Sequence, residues 1–438
     1  MGKKFSRFKS LFTYIMVMTT LLLGGVVYSP TSGFAQAGTN ADFLAGVAKV
    51  SLSPTQNQLD GKKLYMGGYG GYKTRGPAEG VSNDGIYARA LAVKSGQESL
   101  VFLTIDTTVI GNVILDAIRQ GASSQTGIPE DHIVISATHT HAGPDLNGLW
   151  GGVPADYKQL FIENSIQAVV QATGQMKHAT IRTGSTTVPQ ELVKNRRGLG
   201  YTDQELGILR VQSGNKTLAT LVNFAVHPVV LRDDNKLLSS DFVGSLEKEI
   251  ESKYGGTAMF VNGAQGDVEP NVNWKVPVSE QYTLAKDYGQ SLSKYVLEAI
   301  EKSKTVSQGI AFQTQNVTFP VENPSFIFAK NVGLFNGYAA MRQEGNQYFF
   351  DCRISRITLG KGANAVEMVT LPGEAVTNLG LNIRDLMPGD HKLLLGLTHD
   401  TLGYLIPESE WSTTGYEETV SLGREAGDIV RRTIEELY

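Results

Sequence analysis

The chain reads as an α/β protein of mixed β-sheets layered with flanking helices in a single domain. Short apolar runs of strand length alternate with segments of helical spacing along nearly its whole length. No internal repeat or low-complexity linker divides it. A composition of 41% hydrophobic and 19% charged residues is too apolar for disorder and sufficient for a sizeable core.

The elements follow in order. Phe43 to Leu52 and Ile86 to Val93 alternate as strands. Between them, Met66-Gly67-Gly68-Tyr69-Gly70-Gly71 lacks the Gly-Lys-Ser/Thr ending of a phosphate loop, so tight turns or close backbone approach explain its glycines. Leu100 to Ile105 is a buried-strand run ending in Asp106, and the next helix sets Val113, Leu115 and Ile118 on one side. Ile133 to Ala137 is a strand and Tyr157 to Met176 a helix. Leu218 to Val226 is a strand; Asp241 caps a helix carrying Val243, Leu246, Ile250 and Tyr254, closed by Gly255-Gly256. Ala258 to Val261 is a short strand, Tyr282 to Ile300 a long helix, and Ile310 to Val317 and Phe349 to Leu359 are strands. Glu374 opens a helix through Leu386, and a last helix has Leu422, Ala426, Ile429, Val430, Ile434 and Leu437 on one face.

Composition narrows the function. With 39 Lys+Arg against 43 Asp+Glu and no basic stripe, nucleic acid is not an expected partner. One cysteine, Cys352, rules out an intrachain disulfide framework and a multi-cysteine metal site, so metal chemistry falls to the 7 His and the carboxylates. Lys3, Lys4, Arg7 and Lys9, the apolar run Leu11 to Val27, and Ala35-Gln36-Ala37 have the form of an export signal over residues 1–37. The mature chain, 38–438, is then expected to be secreted; a retained segment would instead anchor it at the cell membrane.

Three strand ends carry candidate chemistry. Ile133–Ala137 runs into Thr138-His139-Thr140-His141-Ala142-Gly143-Pro144, where an extended chain would project His139 and His141 to one side. Asn223-Phe224-Ala225-Val226-His227-Pro228 places a third His at an apolar strand end. Leu371-Pro372-Gly373-Glu374 places a carboxylate at a strand-turn-helix junction. Two His and one carboxylate satisfy zinc and leave a position open for water.

Taken in order, His-Thr-His-Ala-Gly-Pro, Phe-Ala-Val-His-Pro, Gly-Asp-Val-x-Pro-Asn and Leu-Pro-Gly-Glu resemble the motifs of the neutral/alkaline (non-lysosomal) ceramidases. Tyr87-Ala88-Arg89-Ala90, Asn195-Arg196 and Ser240-Asp241-Phe242-Val243-Gly244 add to the resemblance, which runs from Ala45 to about Tyr416 and covers the catalytic domain. It implies a Zn²⁺ held by His139, His227, Glu374 and, by the frame of Gly396-Leu397-Thr398, Tyr404, with Tyr416 nearby. It implies that His141 hydrogen-bonds the substrate or the transition-state oxygen, with Tyr404 as a second group stabilising the developing oxyanion, and that Arg196 contacts substrate. The family's Gly-Asp-Val-Ser-Pro-Asn is here Gly266-Asp267-Val268-Glu269-Pro270-Asn271, so no serine can act at that position. Glu269 is then either a general base or a residue that reshapes the pocket for another substrate.

The leading expectation is an exported zinc-dependent amide hydrolase that cleaves ceramide or a related N-acyl amphiphile through zinc-activated water. A lipid substrate would bring it to a membrane surface. The alternatives are a zinc amidase or esterase acting on a small polar substrate, because of Glu269, and a non-catalytic exported binding protein. Retention of all four candidate ligands argues against the last.

Overall fold

The computed structural model describes residues 43–438. The export signal read over residues 1–37 lies outside them. Among the described residues, no helix is long and apolar enough to cross a membrane.

Several strands are apolar on both faces and therefore need cover on both sides. The larger sheet contains β1 (Phe43–Ser51), β2 (Tyr87–Ser95), β3 (Glu98–Ile105), β4 (Ile133–Ala137), β5 (Lys177–Thr187), β6 (Glu205–Ser213), β7 (Lys216–Phe224) and β8 (Thr257–Asn262). Their order is β8-β7-β6-β5-β1-β2-β3-β4, with Lys304–Thr305 beside β5. The β3–β4 and β7–β8 pairs are parallel and the other pairs along this order antiparallel. A second sheet has the order β9 (Ile310–Pro320), β10 (Gln347–Leu359), β11 (Val366–Thr370), β12 (His391–Leu395).

Three apolar clusters define four layers. Helices α1 (Asn112–Thr126), α2 (Ala155–Gly174), α3 (Phe242–Tyr254) and α4 (Val278–Glu301) cover the outer face of the large sheet through Ile118, Phe161, Leu246 and Leu292. Phe102, Leu209 and Met259 meet Ile357, Met368 and Leu393 between the two sheets. Helices α5 (Thr377–Leu386) and α6 (Ala426–Glu435) close the far face of the second sheet through Leu379, Ile383, Val430 and Ile434. The expected layered mixed sheets with flanking helices are present.

Four local readings are corrected. Val113 points outward, and Ile114, Leu115, Ile118 and Ala122 form the buried face of α1. Glu374 does not open a helix: it lies on a two-residue strand, Glu374–Ala375, that pairs with Tyr404–Leu405, and α5 begins only at Thr377. The last helix starts at Ala426, while Leu422 precedes it and packs in the same apolar cluster from the preceding segment. His139 and His141 do not share an extended segment, because the backbone turns left-handed at His139 (φ 70°).

The carboxyl ends of β4, β7, β8, β11 and β12 come together. Gly396 N donates to Asn262 O (2.8 Å), His399 N to Ile135 O (3.0 Å) and Leu371 N to Leu395 O (2.8 Å). All three candidate motifs leave the sheets there, in the position that open α/β sheets commonly use for ligands.

Candidate metal centre and its pocket

Backbone carbonyls orient two of the imidazoles. His139 Nδ1 lies 2.7 Å from Thr108 O, and His227 Nδ1 lies 3.1 Å from Val268 O. A carbonyl oxygen only accepts, so each Nδ1 carries the proton and each Nε2 presents a bare lone pair. Left-handed backbone at a non-glycine residue costs on the order of 1–3 kcal/mol and tends to occur at functional sites. Here it turns His139 toward His227. Asn262, at the end of β8, donates through Nδ2 to Thr138 O (3.3 Å) and Val226 O (3.0 Å), the carbonyls just before the two histidines.

Glu374 sits between them. Its Oε2 is 3.0 Å from His227 Nε2 and 3.2 Å from His139 Nε2, and all three side chains are buried. Glu374 and Tyr404 are register partners on adjacent strands, so the phenol lies beside the carboxylate. Two bare nitrogens facing a carboxylate oxygen at hydrogen-bond distance repel one another unless a cation lies between them. The donor set therefore fits a divalent metal, and its two N and one O atoms suit zinc.

His141 completes the cluster: the ring nitrogens of His139, His141 and His227 lie within 4.8 Å of one another. His141 Nε2 is 3.2 Å from His139 Nε2, while its buried Nδ1 has no partner. Since His139 Nε2 is an acceptor, His141 carries its proton on Nε2. Burial, then the neighbouring His139 and His227, push its pKa well below the ordinary histidine value and keep it neutral. The glycine-rich stretch explains itself here. Gly68 has φ +97°, and a Cβ there would come within 2.5 Å of the His141 ring. Tyr69 packs edge-on against that ring, 4.9 Å between centroids. Arg75 donates to the carbonyls of Gly67 (2.9 Å), His141 (2.5 Å) and Asn235 (2.9 Å), binding three loops with one guanidinium.

The remaining expected residues line the pocket above the cluster. Arg196 donates to Tyr404 Oη (3.0 Å), pairs with Glu417 (2.8 Å) and lies 3.5 Å from Glu269. Burial works against its charge, but Tyr404, Glu417 and Glu269 more than offset this. Glu269 has one oxygen 3.2 Å from Lys194 Nζ and the other on Arg196; its strand, Val268–Pro270, pairs with Val193–Asn195. Sequence reading found His139, His141, His227, Glu374, Tyr404, Arg196 and Glu269. It missed Asn262, Arg75, Tyr69, Lys194 and Glu417, of which only Asn262 carries a local signal, a polar residue closing an apolar strand.

Two spaces open from the cluster. A polar pocket of about 460 Å³ is lined by His141, Lys194, Arg196, Arg232, Glu269, Trp274 and Tyr416. A narrower space of about 60 Å³, bounded by His139 and Glu374, has Val109, Leu149, Trp150, Phe326 and Val420 along its walls.

A family model, neutral/alkaline non-lysosomal ceramidase, N-terminal, matches residues 61–292, more than half of the sequence. The chain belongs to this family. It is 26% identical over 222 residues to the neutral ceramidase of Drosophila melanogaster, covering 43% of this chain and 31% of the fly enzyme. It is 23% identical over 218 residues to the neutral ceramidase of Pseudomonas aeruginosa, covering 43% and 32%. The aligned stretch thus spans about a third of these relatives. The fold is that of the crystal structure of neutral ceramidase from Pseudomonas aeruginosa, with a TM-score of 0.76 at 16% identity over 91% of this chain and 74% of that one. A ceramidase complexed with C2 superposes with a TM-score of 0.74 at 15% identity, over 90% and 74%.

Proposed function

We propose that this ceramidase-family chain is an exported, zinc-dependent N-acyl amide hydrolase. The observation that carries the reading is the convergence of two proton-free imidazole nitrogens and one carboxylate oxygen at the floor of a substrate-sized pocket. Tyr404 would offer a fourth ligand atom, its phenol oxygen, which accepts a hydrogen bond from Arg196. A zinc ion held there supplies Lewis acidity and a water acidified to a pKa of about 7.

The chain's own groups do the rest. The apolar space beside Leu149, Trp150 and Phe326 receives the acyl side of the amide, and the polar pocket receives the amine side. His139 and His227 would hold the cation, and His141, whose Nε2–H faces the cluster, would then donate to the acyl oxygen as negative charge develops there. Such a donor contributes about 10²–10³ in rate. Hydrolysis places the water oxygen on the acyl carbon, breaks the C–N bond and leaves the proton on the departing amine. Glu269, with a cation on each oxygen, is a pocket-shaping residue in this reading and not the general base.

Ceramide is the substrate class named for the relatives; for this chain the class is N-acyl amides, whose members the pocket discriminates. Measuring free amine released from a panel of N-acyl compounds, with and without zinc, tests the reading.

A further inference from the structure

We propose that the amine side of the substrate carries a carboxylate, making the preferred substrate an N-acyl amino acid; this rests on the N-acyl hydrolase reading above. Three donors from separate segments line the polar pocket around Trp274. Lys194 Nζ lies 5.2 Å from the Trp274 ring centroid. Arg232 donates through Nη1 to Trp274 O (2.7 Å), its one side-chain hydrogen bond among the described residues. Trp274 Nε1–H is buried with no partner. A tryptophan N–H, an ammonium and a guanidinium offer donors and no acceptor, so the group that satisfies them is an anion with several lone pairs.

The carboxylates on the same pocket do not cancel this wall. Glu269 divides its charge between Lys194 and Arg196. Asp233, which follows Arg232 on the same lining, bears with its charge on Tyr69 and Arg75. A neutral diol head group offers the exposed Arg232 guanidinium no charge-assisted hydrogen bond. A carboxylate answers it and reaches the bare Trp274 N–H.

The test uses matched amides that differ only in the head group, N-acylglycine against N-acylethanolamine, each with butanoyl and dodecanoyl chains, and the zinc-loaded full chain. The glycine conjugate is expected to have the higher kcat/KM by about tenfold or more, as for a charge-assisted hydrogen bond. Arg232→Gln and Lys194→Met should each move that ratio toward one, a readout that misfolding alone does not shift. An ethanolamide cleaved as well as the glycine conjugate, or a ratio unmoved in both variants, overturns the head-group assignment alone. Cleavage of neither compound overturns the hydrolase reading and this one with it.

Discussion

His227 Nε2 and Glu374 Oε2 lie 3.0 Å apart with no proton to share, because the His227 proton is on Nδ1, held by Val268 O. In the metal centre proposed above, this pairing of two acceptors separates ligand from neighbour. His139 shares the same feature, whereas His141 carries its proton toward the cluster.

His227→Ala should therefore lower zinc affinity by more than the 10–100-fold typical of outer-shell changes. His141→Ala should keep about one zinc per chain and lose about 10²–10³ in turnover. Elemental analysis of both variants after dialysis checks this; equal zinc loss in the two would refute the assignment of roles.

Gly68→Ala places a Cβ against the His141 ring in a backbone conformation that favours glycine. Turnover should fall while zinc is retained, with a stability loss of about 1 kcal/mol or more. Thermal unfolding and a rate assay on the same sample read both effects. Unchanged turnover would mean that the glycine-rich loop does not position His141.

Glu269→Gln removes the charge that faces Lys194 and Arg196 but leaves the shape. If Glu269 shapes the pocket, kcat changes by less than about tenfold; loss of 10²–10⁴ would make it the general base. Glu269→Ser should increase cleavage of N-acyl-sphingosine in the same assay, since it removes the carboxylate from the wall.

The buried Arg89 pairs with both Asp106 and Glu247, and burial pushes the Glu247 carboxyl up to about 8. The folded chain thus keeps a proton that the unfolded chain has lost, so this group's contribution is full below about pH 4.5 and is lost as pH rises toward 8. Denaturant unfolding between pH 5 and 9 should show stability falling across that window, and Glu247→Gln should flatten the fall. An unchanged slope in the variant would assign the pH dependence to other groups.

How far the site was legible follows from where its partners lie. His139, His227 and Glu374 each follow an apolar strand run closed by a turn residue, a pattern contained in a few neighbouring positions. Asn262 and Arg75 act through carbonyls that are remote in sequence, such as Thr138 and Asn235, so no local pattern marks them. The left-handed turn at His139 was hidden for the same reason: it is set by contacts to Thr107 and Thr108 in another segment. In the fold, most strands with apolar runs were readable, while Lys177–Thr187, with its charged residues, threonines and a glycine, was not, and neither were Glu205–Ser213, Val366–Thr370 and His391–Leu395, short runs broken or flanked by charged residues. The helix expected at Glu374 fails because its backbone pairs with Tyr404, about thirty residues downstream.

N-terminal sequencing of protein recovered from culture medium should begin near residue 38, after Ala35-Gln36-Ala37. Secreted material that begins at Met1 would show that residues 1–37 are not a cleaved export signal.

The central claim is metal-dependent hydrolysis of an N-acyl bond, and the most direct measurement is free amine released from matched N-acyl substrates by one preparation before chelation, after chelation and after zinc is restored. Release, its loss with the metal and its return with about one zinc per chain are the expected result. Release that persists in the metal-free chain, or a zinc-loaded chain that frees no amine, would contradict it.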